Sequence, residues 1–394
     1  MITIIKNIKV YGPEFRGIQD ILLIGEKIAF IGSDISADFH NSIQVNVIDG
    51  EGKIAVPGFI DSHVHMLGGG GEGGYKTRTP EIMLTDLTCA GITTAVGCLG
   101  TDGVTRNMMS LLAKAKGLEE EGISAFIYTG SYQIPVRTLT GSIMEDLLAI
   151  DKIIGVGEIA LSDHRSSQPT FDEFLRTAAD ARVGGMLSGK AGILDIHLGD
   201  GERGIEYIFR AIEETEIPIS QFLPTHINRN PHLFEQGLNF ARKGGYIDFT
   251  GSEEPELSEE AGEVSFGKGV RRLLEEGISD ETFTLSSDAQ GSLPIFNEKK
   301  EYIGLGVGSA KCLWKEIRHA ILTEQIPLEI AMKAVTANPA KILKLAGKGR
   351  LENGYDADIC ILSEATMEID TVIAKGQLMV KEKVPVVSGS FEKR

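Results

Sequence analysis

Ile54-Ala55-Val56-Pro57-Gly58-Phe59-Ile60-Asp61-Ser62-His63-Val64-His65 is an apolar, β-branched run that ends in two histidines two residues apart. On a strand, side chains at i and i+2 leave on the same side. The imidazoles of His63 and His65 therefore reach one point, which is what a metal ion asks of its ligands. Two surface histidines at a strand end are the alternative reading.

Outward from this run the chain alternates. Short β-branched segments at Thr93–Leu99, Ser124–Ser131, Gly155–Ser162, Gly192–Leu198, Gln221–Ile227, Tyr246–Ser252 and Thr282–Ser287 follow Ile54–His65. Between them lie stretches of helical period at Pro80–Ala90, Ser110–Glu121, Thr170–Ala181, Gly204–Thr215, His232–Lys243 and Gly267–Glu276. Eight alternations predict an α/β fold of the (β/α)8 TIM-barrel type over residues 58–345. A doubly wound open sheet competes, but the count of eight and the polar residues at strand ends favour the barrel. Both chain ends read as β: Thr3–Tyr11, Asp20–Ile24, Lys27–Gly32 and Ser42–Asp49 at the start, then Gly349–Leu351, Asp358–Leu362, Met367–Ala374 and Lys375–Lys381 at the finish. The expectation is a small β-sandwich domain made of residues 1–57 and 346–394.

The bulk numbers narrow the function. The chain has 394 residues, 42% of them hydrophobic, and a net charge of −17. Such an acidic surface argues against nucleic acid and against anionic membranes, and no apolar run approaches the ~20 residues of a membrane span. Cys89, Cys98, Cys312 and Cys360 form no CxxC pair, so reduced thiols in a cytoplasmic protein are the simple expectation. The first residues lack the long apolar stretch and cleavage site of a signal peptide.

Active-site groups of a barrel stand at the C-terminal ends of its strands. Strand one ends in His63 and His65, strand four carries Glu158 and then Asp163-His164-Arg165, strand five carries His197, strand six ends in His226, and strand eight ends in Asp288 after Leu285-Ser286-Ser287. Alone, His197 reads as a core histidine and His226 as a loop residue. Together, four histidines and two carboxylates aimed at one mouth match the needs of two divalent ions, zinc best among the common metals. His40, His232 and His319 fall away from strand ends and read as structural. His164 reads equally as packing or as a neighbour of the site. The acidic run Glu253-Glu254-Pro255-Glu256 reads as a solvated loop.

Pro57-Gly58-Phe59-Ile60-Asp61 with His63-Val64-His65, the later isolated histidines, Ser286-Ser287-Asp288, and the tail Thr336-Ala337-Asn338-Pro339-Ala340-Lys341-Ile342-Leu343 with Gly354-Tyr355-Asp356-Ala357-Asp358-Ile359 together resemble the amidohydrolase superfamily over nearly the whole chain. Four segments are similar to the isoaspartyl (β-aspartyl) dipeptidases in particular: Gly68-Gly69-Gly70-Gly71-Glu72, Gly100-Thr101-Asp102, Ser162-Asp163-His164-Arg165-Ser166 and Thr225-His226-Ile227-Asn228-Arg229-Asn230. The resemblance implies hydrolysis of dipeptides whose aspartate is linked through its side-chain carboxyl. It also implies a homo-oligomer. At one position the chain departs from the pattern. Many of these enzymes bridge two metals with a carbamylated lysine on strand four, where this chain has Glu158. A glutamate has two oxygens for two ions but is shorter, so the strand must approach or bulge, and Gly157 permits either. A barrel-interior acid paired with a histidine is the other reading of Glu158.

The resemblance carries a mechanism. Two ions about 3.5–4 Å apart, bridged by Glu158 and a hydroxide, activate that hydroxide for attack on the amide carbonyl. Asp288 binds one metal, takes the proton and returns it to the departing amine, while the Tyr132 hydroxyl donates to the oxyanion. An isoaspartyl dipeptide carries one α-ammonium and two carboxylates. Glu72 is the expected receptor for the ammonium, Arg165 and Arg229 for carboxylates, with Thr101 and Ser292 adding hydroxyls. Taken alone, Glu72 reads as a solvated charge and Arg229 as a surface residue, and only their place beside metal-ligand segments points to substrate. The four glycines before Glu72 read as a hinge over the pocket or as a tight turn. The rival readings are an amidohydrolase of cyclic amides, such as dihydroorotate or hydantoins, and a non-catalytic relative without metals.

Overall fold

The computed structural model describes residues 2–36, 44–296 and 302–393. His40 lies outside the described residues, as do the first two residues of the expected strand Ser42–Asp49, which is seen from Val45.

Eight parallel strands form the centre: β1 (Phe59–Val64), β2 (Ile92–Gly97), β3 (Ser124–Thr129), β4 (Ile153–Leu161), β5 (Ile193–Leu198), β6 (Phe222–Thr225), β7 (Ile247–Thr250) and β8 (Phe283–Ser286). The first six pair in sequence order and the last two pair with each other. The ring closes through backbone bonds at the two seams. Ile227 N donates to Asp248 O at 3.2 Å beyond β6, while Asp288 N donates to His63 O at 3.1 Å and His65 N to Ala289 O at 2.9 Å beyond β8. Almost every strand residue is buried, the pattern of strands covered on both faces. Ile60, Val96, Tyr128, Ile154, Ile193 and Leu223 fill the interior of the ring.

Helices cover the outside: α1 (Leu84–Thr88), α2 (Met108–Glu120), α3 (Ile143–Ala149), α4 (Phe171–Ser188), α5 (Glu206–Glu214), α6 (Pro231–Arg242), α7 (Pro255–Ala261), α8 (Phe266–Glu275) and α9 (Cys312–Leu322). Local chemistry sets their ends. Thr170 and Glu173 form a reciprocal capping box at α4, and Gly189, at φ +71°, ends it. Asn107 caps α2 by accepting from Ser110 N at 3.1 Å, and Met108, Leu111, Ala115 and Leu118 form its buried stripe.

Three sequence expectations are corrected. Ile54–His65 is not one strand: it breaks at Gly58 into Lys53–Pro57 and β1. Gly58 N donates to Asp358 O at 2.9 Å, and a Cβ at Gly58 would lie 2.3 Å from Thr93 Oγ1, so the chain turns where only glycine fits. The acidic run at 253–256 is not all loop, because α7 begins at Pro255, with proline at the first helical position where its missing N–H costs nothing. In addition, Gly349–Leu351 is irregular rather than a strand.

Lys53–Pro57 belongs to a nine-stranded sheet drawn from both chain ends. Along it run Val384–Pro385, Gln377–Lys381, Ile369–Ala374, Ile359–Ser363, Lys53–Pro57, Ile2–Tyr11, Phe15–Ile24 and Lys27–Gly32, with Val45–Asp49 beside Ile2–Tyr11. Its edge folds back: Ile28 N donates to Tyr355 O at 2.9 Å and Gly354 N to Ile28 O at 2.8 Å. The fold-back encloses a core of its own that includes Ile5, Ile8, Ile21, Ile28, Leu351 and Ile359.

Candidate active site and metal centre

All the strand-end histidines meet at the C-terminal mouth of the barrel. Each presents one ring nitrogen to the centre and has the other held from behind. His63 Nδ1 lies 3.0 Å from Asp195 Oδ2. Burial pushes the Asp195 carboxyl up to about 6, with His63 opposing, so at neutral pH it is ionised and can only accept. His63 Nδ1 therefore donates to Asp195, and Nε2 is the nitrogen left facing the mouth. His226 Nδ1 is held by Thr250 Oγ1 at 2.6 Å, and His197 Nε2 by Asp163 Oδ2 at 3.0 Å. Cys98 Sγ lies 3.8 Å behind His65 Nδ1.

Glu158 stands between the two histidine pairs. Its Oε1 is 3.3 Å from His65 Nε2. Its Oε2 is 3.3 Å from His63 Nε2, 3.1 Å from His197 Nδ1 and 3.9 Å from His226 Nε2. Ligands of one tetrahedral zinc stand about 3.4 Å from each other, given bonds near 2.1 Å. The strand reaches this point by a bulge. Four residues of β4, Val156 to Ile159, oppose three of β5, Leu194 to Ile196, so Gly157 and Glu158 project out of register. A Cβ at Gly157 would stand 2.8 Å from Asp195 Cβ, so glycine is needed beside Glu158. Asp288, past the end of β8, brings Oδ1 to 3.0 Å from His65 Nε2 and 3.8 Å from His63 Nε2.

The electrostatics ask for positive charge here. His63 Nε2, His226 Nε2, Glu158 Oε1 and Asp288 Oδ1 are buried without an aligned hydrogen-bond partner, a costly state for four polar atoms unless an ion satisfies them. Burial opposes ionisation of Glu158, yet His63, His197 and His226 hold its carboxyl well below the usual range. Burial likewise opposes charge on His63, but the neighbouring Cys98, Glu158 and Asp195 outweigh it and raise that imidazole well above its ordinary value. His226 is pushed down to about 3, chiefly by burial, and is the neutral imidazole a metal binds. Two ligand sets result, one of His63, His65 and Glu158 with Cys98 alongside, the other of Glu158, His197 and His226. The residues fit a pair of divalent ions with Glu158 common to both.

A second ring of polar groups surrounds this centre. Tyr132 is buried, its hydroxyl 2.9 Å from His197 Nδ1. Arg165 pairs with Asp163 through Nε at 3.0 Å and Nη2 at 2.7 Å, and its Nη1 lies 3.3 Å from Glu72 Oε1. Thr101 Oγ1 donates to the same Glu72 oxygen at 2.8 Å. Ser292 packs against Gly70. Arg229 stands further out. Its Nε has no aligned partner and comes no closer than 4.0 Å to Asp200. His164 is exposed, and His232 lies on α6 beside Gln236.

Asp195 and Cys98 went unread in the sequence, and Asp163 was read there only as part of the segment after strand four. Asp195 precedes His197 by two on β5, so strand alternation carried the signal that both face inward. Cys98 is the first residue past the end of β2. Asp163 lies beside Arg165, but its contact with His197 depends on a loop turn that has no periodicity.

The Amidohydrolase family model matches residues 263–379. The crystal structure of a β-aspartyl dipeptidase from the thermophilic keratin degrader Fervidobacterium islandicum AW-1, in complex with the dipeptide β-Asp-Leu, is 48% identical, covers 98% of both chains and superposes with a TM-score of 0.89. More distant relatives are a deacetylase of Brucella anthropi, 22% identical over 95% of this chain and 87% of its own, and a dihydroorotase of Pelotomaculum thermopropionicum, 25% identical over 87% and 84%.

Proposed function

The chain belongs to the β-aspartyl dipeptidases of the amidohydrolase family, and on that premise we propose that it is a metal-dependent dipeptidase hydrolysing β-aspartyl dipeptides. The observation that carries the substrate class is the ion pair of Glu72 with Arg165 beside the metal-ligand cluster. A dipeptide with a free α-ammonium and α-carboxylate replaces that one pair with two: ammonium on Glu72 and Thr101, carboxylate on Arg165. Arg229, whose Nε has no aligned hydrogen-bond partner, and Ser292 extend the carboxylate side. A cyclic amide such as dihydroorotate has no ammonium to separate Glu72 from Arg165.

When bound, the two ions supply an electrophile for the amide oxygen and a water acidic enough to attack at neutral pH. Zinc suits the imidazole and carboxylate donors best. The protein does the rest. His63, His65, Glu158, His197, His226 and Asp288 would hold the pair. The Asp288 carboxylate accepts the proton released by the attacking water and returns it to the leaving nitrogen. The Tyr132 hydroxyl donates to the oxygen that becomes negative. Assembly as a homo-oligomer in the cytoplasm belongs to the same reading, in keeping with four free cysteines. Among the described residues no helix is long and apolar enough to cross a membrane.

A panel of β-Asp-Leu, dihydroorotate and a hydantoin, assayed with zinc-loaded protein, tests the substrate class. Turnover of β-Asp-Leu alone is expected, and preferred ring opening of either cyclic amide would replace this reading with the rival one.

A further inference from the structure

Residues 67–79 leave the end of β1 and double back. Gly71 N donates to Thr77 O at 3.2 Å, Thr79 N to Gly69 O at 3.1 Å, and Gly70 bridges Arg78 in antiparallel fashion. Gly68 has φ +78°, and a Cβ there would lie 2.3 Å from Thr79 O, so the two arms meet as closely as backbone allows. Glu72 stands at the outer bend of this loop.

The loop is glycine-rich but not free. Arg106, 5% exposed and just before the cap of α2, reaches under it with its whole guanidinium. Nε donates to Leu67 O at 2.9 Å, Nη1 to Gly70 O at 3.4 Å and Nη2 to Thr79 O at 3.0 Å. One side chain thus spans both arms. Asp102 ties the same two segments from the other side. It accepts from Arg78 and from the backbone of Val104 and Thr105, and lies 3.7 Å from Arg106. Thr101, next to Asp102, is the residue that donates to Glu72. The loop of Glu72 and the segment 101–106 are therefore one interlocked unit. Without the guanidinium, three backbone acceptors lose their donors, and the glycines regain the freedom to hinge.

We propose that Arg106 is a positioning residue for substrate recognition, locking the glycine loop so that Glu72 and Thr101 stand ready for the ammonium of the dipeptide. This rests on the assignment of Glu72 to that ammonium. Arg106 touches no substrate and acts through the carbonyls of Leu67, Gly70 and Thr79. Preorganising the loop spares the ligand the entropy of ordering it.

A double-mutant cycle on the zinc-loaded full chain tests the inference, using Arg106→Met, Arg106→Lys, Glu72→Gln and the double variants, with β-Asp-Leu as substrate and the melting temperature followed in parallel. Arg106→Met raises KM about tenfold or more and changes kcat much less. Arg106→Lys, which keeps one donor, falls between. In the Glu72→Gln background the effect of either Arg106 change on KM largely disappears, because the two act as one unit. Effects that add in full, or a fall in kcat with KM unchanged, would overturn the role of Arg106. If Glu72→Gln alone leaves KM unaltered, the ammonium assignment fails and this inference fails with it. If Glu72→Gln raises KM and neither Arg106 variant does, only the inference fails.

Discussion

His63 Nδ1 lies 3.0 Å from Oδ2 of Asp195, a carboxylate on the strand interior four barrel positions away. The contact holds His63 Nδ1 as a donor and leaves Nε2 as the nitrogen that would face an ion. Partners of this kind are worth 10–100-fold in metal affinity. Asp195→Asn is expected to weaken metal binding by about that factor while leaving the barrel folded. Competition with a chelator of known affinity measures it, and unchanged affinity would remove Asp195 from the metal centre.

Asp288 faces both His65 and His63, and its carboxyl is held well below the usual range. Burial pushes it up, but the hydrogen bond and charge of His65, with His226 and His63, prevail. An ionised acid can accept a proton, whereas an amide cannot. Asp288→Asn should keep the fold and most of the bound metal yet lower kcat by a factor on the order of 10²–10⁴. Near-normal turnover in that variant would exclude Asp288 as the base.

Tyr132 offers a hydroxyl from a wholly buried position against the His197 ring. Removing one donor to a developing oxyanion typically costs about 10²–10³ in kcat. Tyr132→Phe should lose that much in kcat with KM little changed. A rise in KM alone would assign Tyr132 to binding instead.

Stability carries a separate pH signature at Glu316 on α9, distant in sequence from every ligand. Burial pushes its carboxyl up to about 8, against hydrogen bonds from the backbone of Ser252 and Phe266, and Glu263 and Glu259 add to the rise. The folded value exceeds the unfolded one near 4.5. The proton therefore stabilises the fold fully below about 4.5, and that stability is lost as pH climbs to about 8. Glu316→Gln stays neutral throughout. Its melting temperature should gain on the native protein between pH 5 and pH 9 by on the order of 2 °C, and a constant difference across that range would contradict the account.

Much of the barrel and its mouth was legible from the sequence because both rest on short-range rules. Strand alternation put His63 beside His65, and the return of apolar segments between helical ones counted out eight strands. The break at Gly58 was not legible, since the residues on both sides are equally apolar and only the approach of Thr93 decides it. Helix α3 escaped notice because its seven residues are too few for a periodic signal. The role of Arg106 and the contact of Asp163 with His197 were invisible for another reason. Their partners are carbonyls and a ring brought near by loop turns, and neither turn leaves a mark in residue type.

The central claim is that four histidines, Glu158 and Asp288 hold metal for cleavage of a β-linked aspartyl amide. The most direct measurement compares hydrolysis of β-Asp-Leu and α-Asp-Leu by zinc-loaded and chelator-stripped protein. The account predicts rapid cleavage of β-Asp-Leu by the loaded form, little of α-Asp-Leu, and loss of activity on stripping that returns with zinc. Equal rates on the two dipeptides, or full activity after stripping, would contradict it.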